Sequence, residues 1–266
     1  MDVIYDDEPA VDAQPFRIAP SDRGNGIRAT IDRLRGKVVL SPDTPSPVVE
    51  QYRRLAATLH HAQRDRQARV LMVSSAMPGE GKTLTATNLA LTLTESYRRR
   101  ILVIDADLRR PSMHVAFGLP NGLGLNDALL GRNRIPTAFE LSPRLAVLPA
   151  GSPNPDPIGV LTSPAMRQLV KYAVERYDWV LIDTPPVGLL TDAHLVAEMV
   201  DVIIMVVSAG AVPYKLVQRS ADALGRNKIL GVVLNRAAGQ PFQRAYGYGG
   251  YGGYYGARRS EEQLDA

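Results

Sequence analysis

Six short runs of β-branched and aliphatic residues punctuate the chain at residues 70–75, 101–105, 145–149, 179–183, 202–207 and 229–234. Each is apolar nearly throughout, without the polar alternation of a half-exposed strand, so both faces are expected to be covered. Between them lie segments with apolar residues at helical spacing, near 82–97, 125–130, 163–176, 192–199 and 214–226. A further helical pattern, Val48, Val49, Tyr52, Leu55 and Leu59, follows Ser46-Pro47, which reads as an N-cap and first-turn pair. Strands alternating with helices predict an α/β fold, a mostly parallel sheet with helices on both faces and ligands at the carboxyl edge of its strands.

The pattern is absent at both ends. Residues 1–45 carry an acidic start, several prolines and a short basic stretch, and are expected to form a mobile arm before a domain spanning 46–240. Within the arm, Ile27, Ile31, Leu34 and Val38 recur at helical spacing among Arg28, Arg33, Arg35 and Lys37. A basic amphipathic helix for a membrane surface is one reading; because the stretch is short and Gly36 interrupts it, docking on its own domain is preferred. Residues 241–266 hold Tyr246, Tyr248, Tyr251, Tyr254 and Tyr255 among glycines, a composition that builds no core and is expected to be flexible.

Composition narrows the chemistry. The chain has 266 residues, 45% of them hydrophobic and 22% charged, enough for one sizeable core. It has no cysteine and only four scattered histidines, which excludes disulfides, thiolate metal sites and histidine zinc sites. A net charge of +4 is too small and too spread to predict nucleic-acid binding. With no apolar run of membrane-spanning length and an acidic N-terminus unlike a secretory signal, the expected location is the cytoplasm.

Residues 74–83 read Ser-Ser-Ala-Met-Pro-Gly-Glu-Gly-Lys-Thr, set between the expected first strand and a helix. This is the context of a phosphate-binding loop: backbone N–H groups around Gly79 and Gly81 and the positive end of the following helix form a nest for phosphate oxygens. Lys82 is expected on the outer phosphates and the Thr83 hydroxyl on Mg²⁺. The usual first glycine is replaced by Ala76. Two further strands end in acids, Asp105-Ala-Asp107-Leu-Arg109-Arg110 and Asp183-Thr-Pro-Pro, at the edge where the loop lies. Thr83 with Asp107 and Asp183 is the expected Mg²⁺ site. Among Asp105, Asp107 and Asp183, one would help hold the metal while another takes the nucleophile's proton. Each could instead cap a helix or pair with an arginine, Asp107 with Arg109 or Arg110. Asn235 and Arg236, at the end of the last strand, fit either a base contact or an ordinary strand exit and carry no assignment.

These motifs together resemble the bacterial tyrosine kinases of capsular and exopolysaccharide synthesis, relatives of the MinD/ParA-type P-loop ATPases, over roughly residues 46–240. The resemblance implies a P-loop fold, ATP and Mg²⁺ as cofactors, and autophosphorylation of a C-terminal tyrosine cluster. Carried over by motif, Gly79, Glu80, Gly81, Lys82, Thr83 and Leu84 bind ATP, and Lys82, Asp105, Asp107 and Asp183 are the catalytic and metal-binding set. Tyr246, Tyr248, Tyr251, Tyr254 and Tyr255 are the acceptors. It also implies a membrane-anchored polysaccharide chain-length regulator (co-polymerase) as a separate activating partner, and hence a place at the inner face of the membrane. Family members form rings through a Glu-x-x-Arg-x-x-Arg helix. Here Glu50 and Arg53 are kept but Ala56 takes the third place, leaving a homo-oligomer an open expectation.

Two other readings compete. A MinD/ParA-type positioning ATPase shares most motifs but carries a lysine at the start of its loop, where this chain has Met77, and it leaves the tyrosines unexplained. A nucleotide-binding regulator with little catalysis is disfavoured by intact Lys82, Asp105 and Asp183.

Overall fold

A computed structural model describes residues 14–20, 26–41, 44–130, 135–188 and 190–237. Eight strands are present among them: β1 (Arg17–Pro20), β2 (Val70–Ser75), β3 (Ile101–Asp105), β4 (Thr137–Ser142), β5 (Leu145–Leu148), β6 (Trp179–Asp183), β7 (Val202–Ser208) and β8 (Ile229–Asn235). The helices are α1 (Gly26–Arg33), α2 (Ser46–Arg66), α3 (Lys82–Tyr97), α4 (Met113–Phe117), α5 (Leu125–Leu129), α6 (Ile158–Leu161), α7 (Pro164–Arg176), α8 (Asp192–Glu198) and α9 (Tyr214–Leu224). One sheet runs β1-β4-β5-β3-β6-β2-β7-β8. Every pairing is parallel except β4 with β5, so β4 and β1 run against the other six.

The six parallel strands are those expected from the apolar runs; β2, β3, β5, β6 and β7 are buried on both faces, whereas β8, at the sheet edge, leaves Val232 and Leu234 exposed, so the expected double cover fails there. Successive residues of β2 go to opposite faces: Val70 and Met72 pack with α5 to α9, while Leu71 and Val73 pack with α2, α3 and α4. A strand buried on both sides has no place for a polar residue until it reaches the sheet edge. Helix α7 begins as its sequence requires, with Ser163 accepting the Met166 N–H (3.2 Å) and Pro164 in the first turn. Helix α2 begins one residue earlier than expected, with Pro45 rather than Ser46 at the cap position.

The expectation of a mobile arm over 1–45 is corrected for its described part. Strand β1 adds to β4, with Ile18 opposite Ala138. Phe16 is buried and meets the Tyr172 ring edge-to-face at 5.3 Å. Ile27, Ile31 and Leu34 pack on the core around α3 and α4, and Val38 and Val39 are buried there. Asn88 of α3 ties the segment down, its Oδ1 accepting the Val39 N–H (2.7 Å) and its Nδ2 donating to the Lys37 carbonyl (2.9 Å). The preferred docking reading of the basic amphipathic stretch therefore describes α1, and Gly36 (φ +70°) makes the turn that lets the chain continue along the core. No helix among the described residues is long and apolar enough to cross a membrane. Residues 238–266, with all five tail tyrosines, lie outside the described residues.

Candidate active site

Strand order explains why residues far apart in sequence meet. β6 lies between β2 and β3, so the loop after β2 and the acids ending β3 and β6 share one stretch of the carboxyl edge. In register, Asp183 stands opposite both Val73 of β2 and Asp105 of β3.

The loop 74–83 has the geometry its glycines permit. Gly79 and Gly81 take φ +77° and +98°, values that carry little cost without a Cβ. Lys82 opens α3, and the first-turn N–H groups of Lys82, Thr83 and Leu84 have no intrahelical acceptor, so they are free for an anion. Ala76, in place of the first glycine, is accommodated because the close approach comes from Gly188: its N–H donates to the Ala76 carbonyl at 3.1 Å, and a Cβ on Gly188 would overlap that oxygen.

Thr83 Oγ1 donates to Asp183 Oδ2 at 2.6 Å and lies 3.1 Å from Ser112 Oγ. Asp183 Oδ1 is buried without a hydrogen-bond partner. Asp105 is fully buried and fully used: Oδ2 accepts the N–H groups of Ser112 (3.0 Å) and Met113 (2.9 Å), and Oδ1 that of Asp107 (3.1 Å). Burial, and then the nearby charge of Asp183, pushes the Asp105 carboxyl up to about 8; burial pushes Asp183 up to about 6 against the pull of Thr83 and Lys82. Asp107 is also raised by burial, with the Arg110 N–H (3.0 Å) and the Lys82 charge pulling it back.

A divalent cation fits this donor set. An orphaned carboxylate oxygen beside a threonine hydroxyl, with buried acids whose charge nothing neutralises fully, is where a small hard cation relieves both costs. Among the described residues no group of three or more His, Cys, Asp or Glu could hold a metal alone. Mg²⁺ needs no such cage, since it takes most of its shell from phosphates and water.

The other expected site residues divide. Glu80 is buried and turned inward, its Oε2 accepting the Met77 N–H (2.7 Å) and its Oε1 the Ser208 N–H (2.9 Å), so its carboxylate shapes the loop instead of facing a phosphate. The Leu84 side chain packs on the core, leaving only its N–H for the nucleotide. Arg109 pairs with Asp192, not Asp107, through two hydrogen bonds of 2.7 and 3.1 Å, and also donates to the Pro155 carbonyl. Asp192 is buried, so this pair fastens the loop after β3 to the start of α8. The third place of the Glu50, Arg53, Ala56 pattern is fully buried under α2. Sequence reasoning missed Ser112, Asp192 and the bond from Asn235 Nδ2 to the Glu80 carbonyl (2.8 Å). Of these, the sequence singles out only Asn235, as either a base contact or an ordinary strand exit.

Comparison with known proteins places this geometry. A family model described as NUBPL iron-transfer P-loop NTPase (ParA) matches residues 66–242. Tyrosine-protein kinase YwqD of Bacillus subtilis is 35% identical over 83% of this chain and 93% of its own length. Tyrosine-protein kinase wzc of Salmonella typhimurium is 34% identical over 84% of this chain, which spans 31% of that longer relative. The crystal structure of the chimerical protein CapA2B2 superposes with a TM-score of 0.69 at 30% identity, covering 76% of this chain and 90% of that one. With its nucleotide-binding loop and acidic strand ends in place, the chain belongs to the bacterial tyrosine kinases, a branch of the ParA/MinD group of P-loop NTPases.

Proposed function

We propose that the chain is a protein-tyrosine autokinase of capsule or exopolysaccharide synthesis, moving the γ-phosphate of Mg-ATP to tyrosines among Tyr246, Tyr248, Tyr251, Tyr254 and Tyr255. The observation that carries the reading is the Thr83, Asp183 and Asp105 cluster at the mouth of the phosphate loop, in a chain 35% identical to a tyrosine-protein kinase over most of both lengths. Thr83 and Asp183 would hold Mg²⁺, which when bound supplies positive charge to the phosphates. Lys82 and the N–H groups opening α3 bind and orient the outer phosphates, so that a phenol oxygen attacks the γ-phosphorus in line as the bond to ADP breaks. The phenol proton passes to Asp107, whose raised pKa suits a base. Asp105, with both oxygens committed to backbone N–H groups, positions the loop carrying Asp107. The tail's composition supports the acceptor role, since five tyrosines lie among glycines between residues 246 and 255. A membrane-anchored polysaccharide co-polymerase is the proposed partner, and would hold the protein at the inner face of the membrane.

Replacing the five tail tyrosines with phenylalanine tests the acceptor assignment. The variant is expected to lose most ³²P label from ATP while binding ATP as before. Label equal to wild type would place the acceptors elsewhere.

A further inference from the structure

The phosphate loop is held from beneath by two side chains, one of which no motif assigns. Glu80 reaches the last residue of β7 through the Ser208 N–H (2.9 Å) and returns to its own loop through the Met77 N–H (2.7 Å). Asn235, the last residue of β8, reaches over β7 and donates from Nδ2 to the Glu80 carbonyl at 2.8 Å. Its own orientation is set: Oδ1 accepts the Arg236 N–H (2.9 Å), and its backbone carbonyl accepts the Ala209 N–H (2.8 Å). The fit is close enough that a Cβ on Gly81 would overlap Asn235 Nδ2. Arg236 then turns into the left-handed region (φ +57°), and the chain leaves toward the tyrosine-rich segment.

We infer that Asn235 and Glu80 are positioning residues that brace the Glu80-Gly81 peptide from the ends of β8 and β7, fixing the loop in its phosphate-binding shape before nucleotide arrives. An unbraced glycine-rich turn samples many backbone states, of which few aim their N–H groups at one point, and affinity falls by the fraction lost. The brace also ties the loop to the end of β8. The inference rests on nucleotide binding and not on which group receives the phosphate.

The test uses the full chain with Asn235→Ala and, separately, Glu80→Gln. Hydrogen exchange of the free protein is read at residues 77–83. Affinities for ATP and for inorganic tripolyphosphate are read by displacement of a fluorescent ATP analogue. Both variants are expected to stay folded with the melting temperature lowered by about 2–6 °C, to exchange faster at 79–83, and to bind both ligands about tenfold more weakly, by the same factor for each. The double variant should lose less than the product of the singles, since both hold one peptide. In phosphotransfer the KM for ATP should rise by that factor with kcat changed little. Unchanged exchange at 79–83 in Asn235→Ala would overturn the brace. So would weaker ATP binding with tripolyphosphate unaffected, the signature of a base contact. A chain that binds nucleotide and makes no phosphotyrosine would leave these readouts intact and defeat only the kinase reading.

Discussion

Three carboxylates at one sheet edge have three different environments, and their chemistry follows. Asp105 and Asp183 both sit above the ordinary Asp value of 3.8, mainly through burial. A raised acid pKa means the folded state holds protons that the unfolded chain has released. Stability from these groups is therefore fully present below about pH 4 and lost as pH rises through the folded values, between about 4 and 8. In metal-free, nucleotide-free buffer, Asp183→Asn is expected to flatten that part of the melting profile and raise the melting temperature at pH 8 by about 3–6 °C. A variant profile parallel to wild type would show that the buried charge is compensated in the resting protein. The same environments separate Asp107 from Asp105. Asp107→Asn is expected to cut phosphotransfer by about 10²–10⁴ with nucleotide affinity retained, as for loss of a base. Asp105→Asn replaces an acceptor with an amide donor facing backbone N–H groups, so affinity and transfer should fall together. Nucleotide titration beside a ³²P transfer assay checks the split, and the reverse pattern would exchange the two roles.

At the scale of elements, the residues that misled the sequence reading are isolated ones. The run Ile101 to Ile104 declares a strand by itself, whereas Arg17–Pro20 and Thr137–Ser142 do so only when paired with each other and, for the second, with β5. Phe16 looks unremarkable in a proline-rich stretch, yet it fills a gap against Tyr172 and anchors β1. Phe16→Ala should remove about 3 kcal/mol of packing. Because an edge strand opens locally before the domain unfolds, the loss should appear first as fast hydrogen exchange at the Arg17 amide, which donates to the Pro136 carbonyl at 2.8 Å. Retained protection there would mean that backbone pairing, not Phe16, holds the arm. On α2, Ala56 is fully buried, and an arginine placed there would have its charge driven into the core.

For the whole molecule, the phosphate loop and the acids were legible because local chemistry forces them: glycines where φ is positive, lysine and threonine at a helix start, aspartates where buried strands reach water. What joins them was not. The contact of Thr83 with Asp183 spans 100 residues and exists because β6 inserts between β2 and β3, an order that no local pattern encodes. Asp192 and Asn235 are hidden for the same reason, since each becomes meaningful only beside a partner more than 80 residues away. The proposed kinase activity joins this assembled site to a tail outside the described residues. Its most direct test is phosphopeptide mapping of the purified full chain after incubation with ATP and Mg²⁺, with and without a co-polymerase partner, beside Lys82→Met. Phosphotyrosine is expected only in peptides containing residues 246–255, and none in Lys82→Met. ATP hydrolysis without phosphotyrosine under both conditions, or undiminished labelling of Lys82→Met, would contradict the proposal.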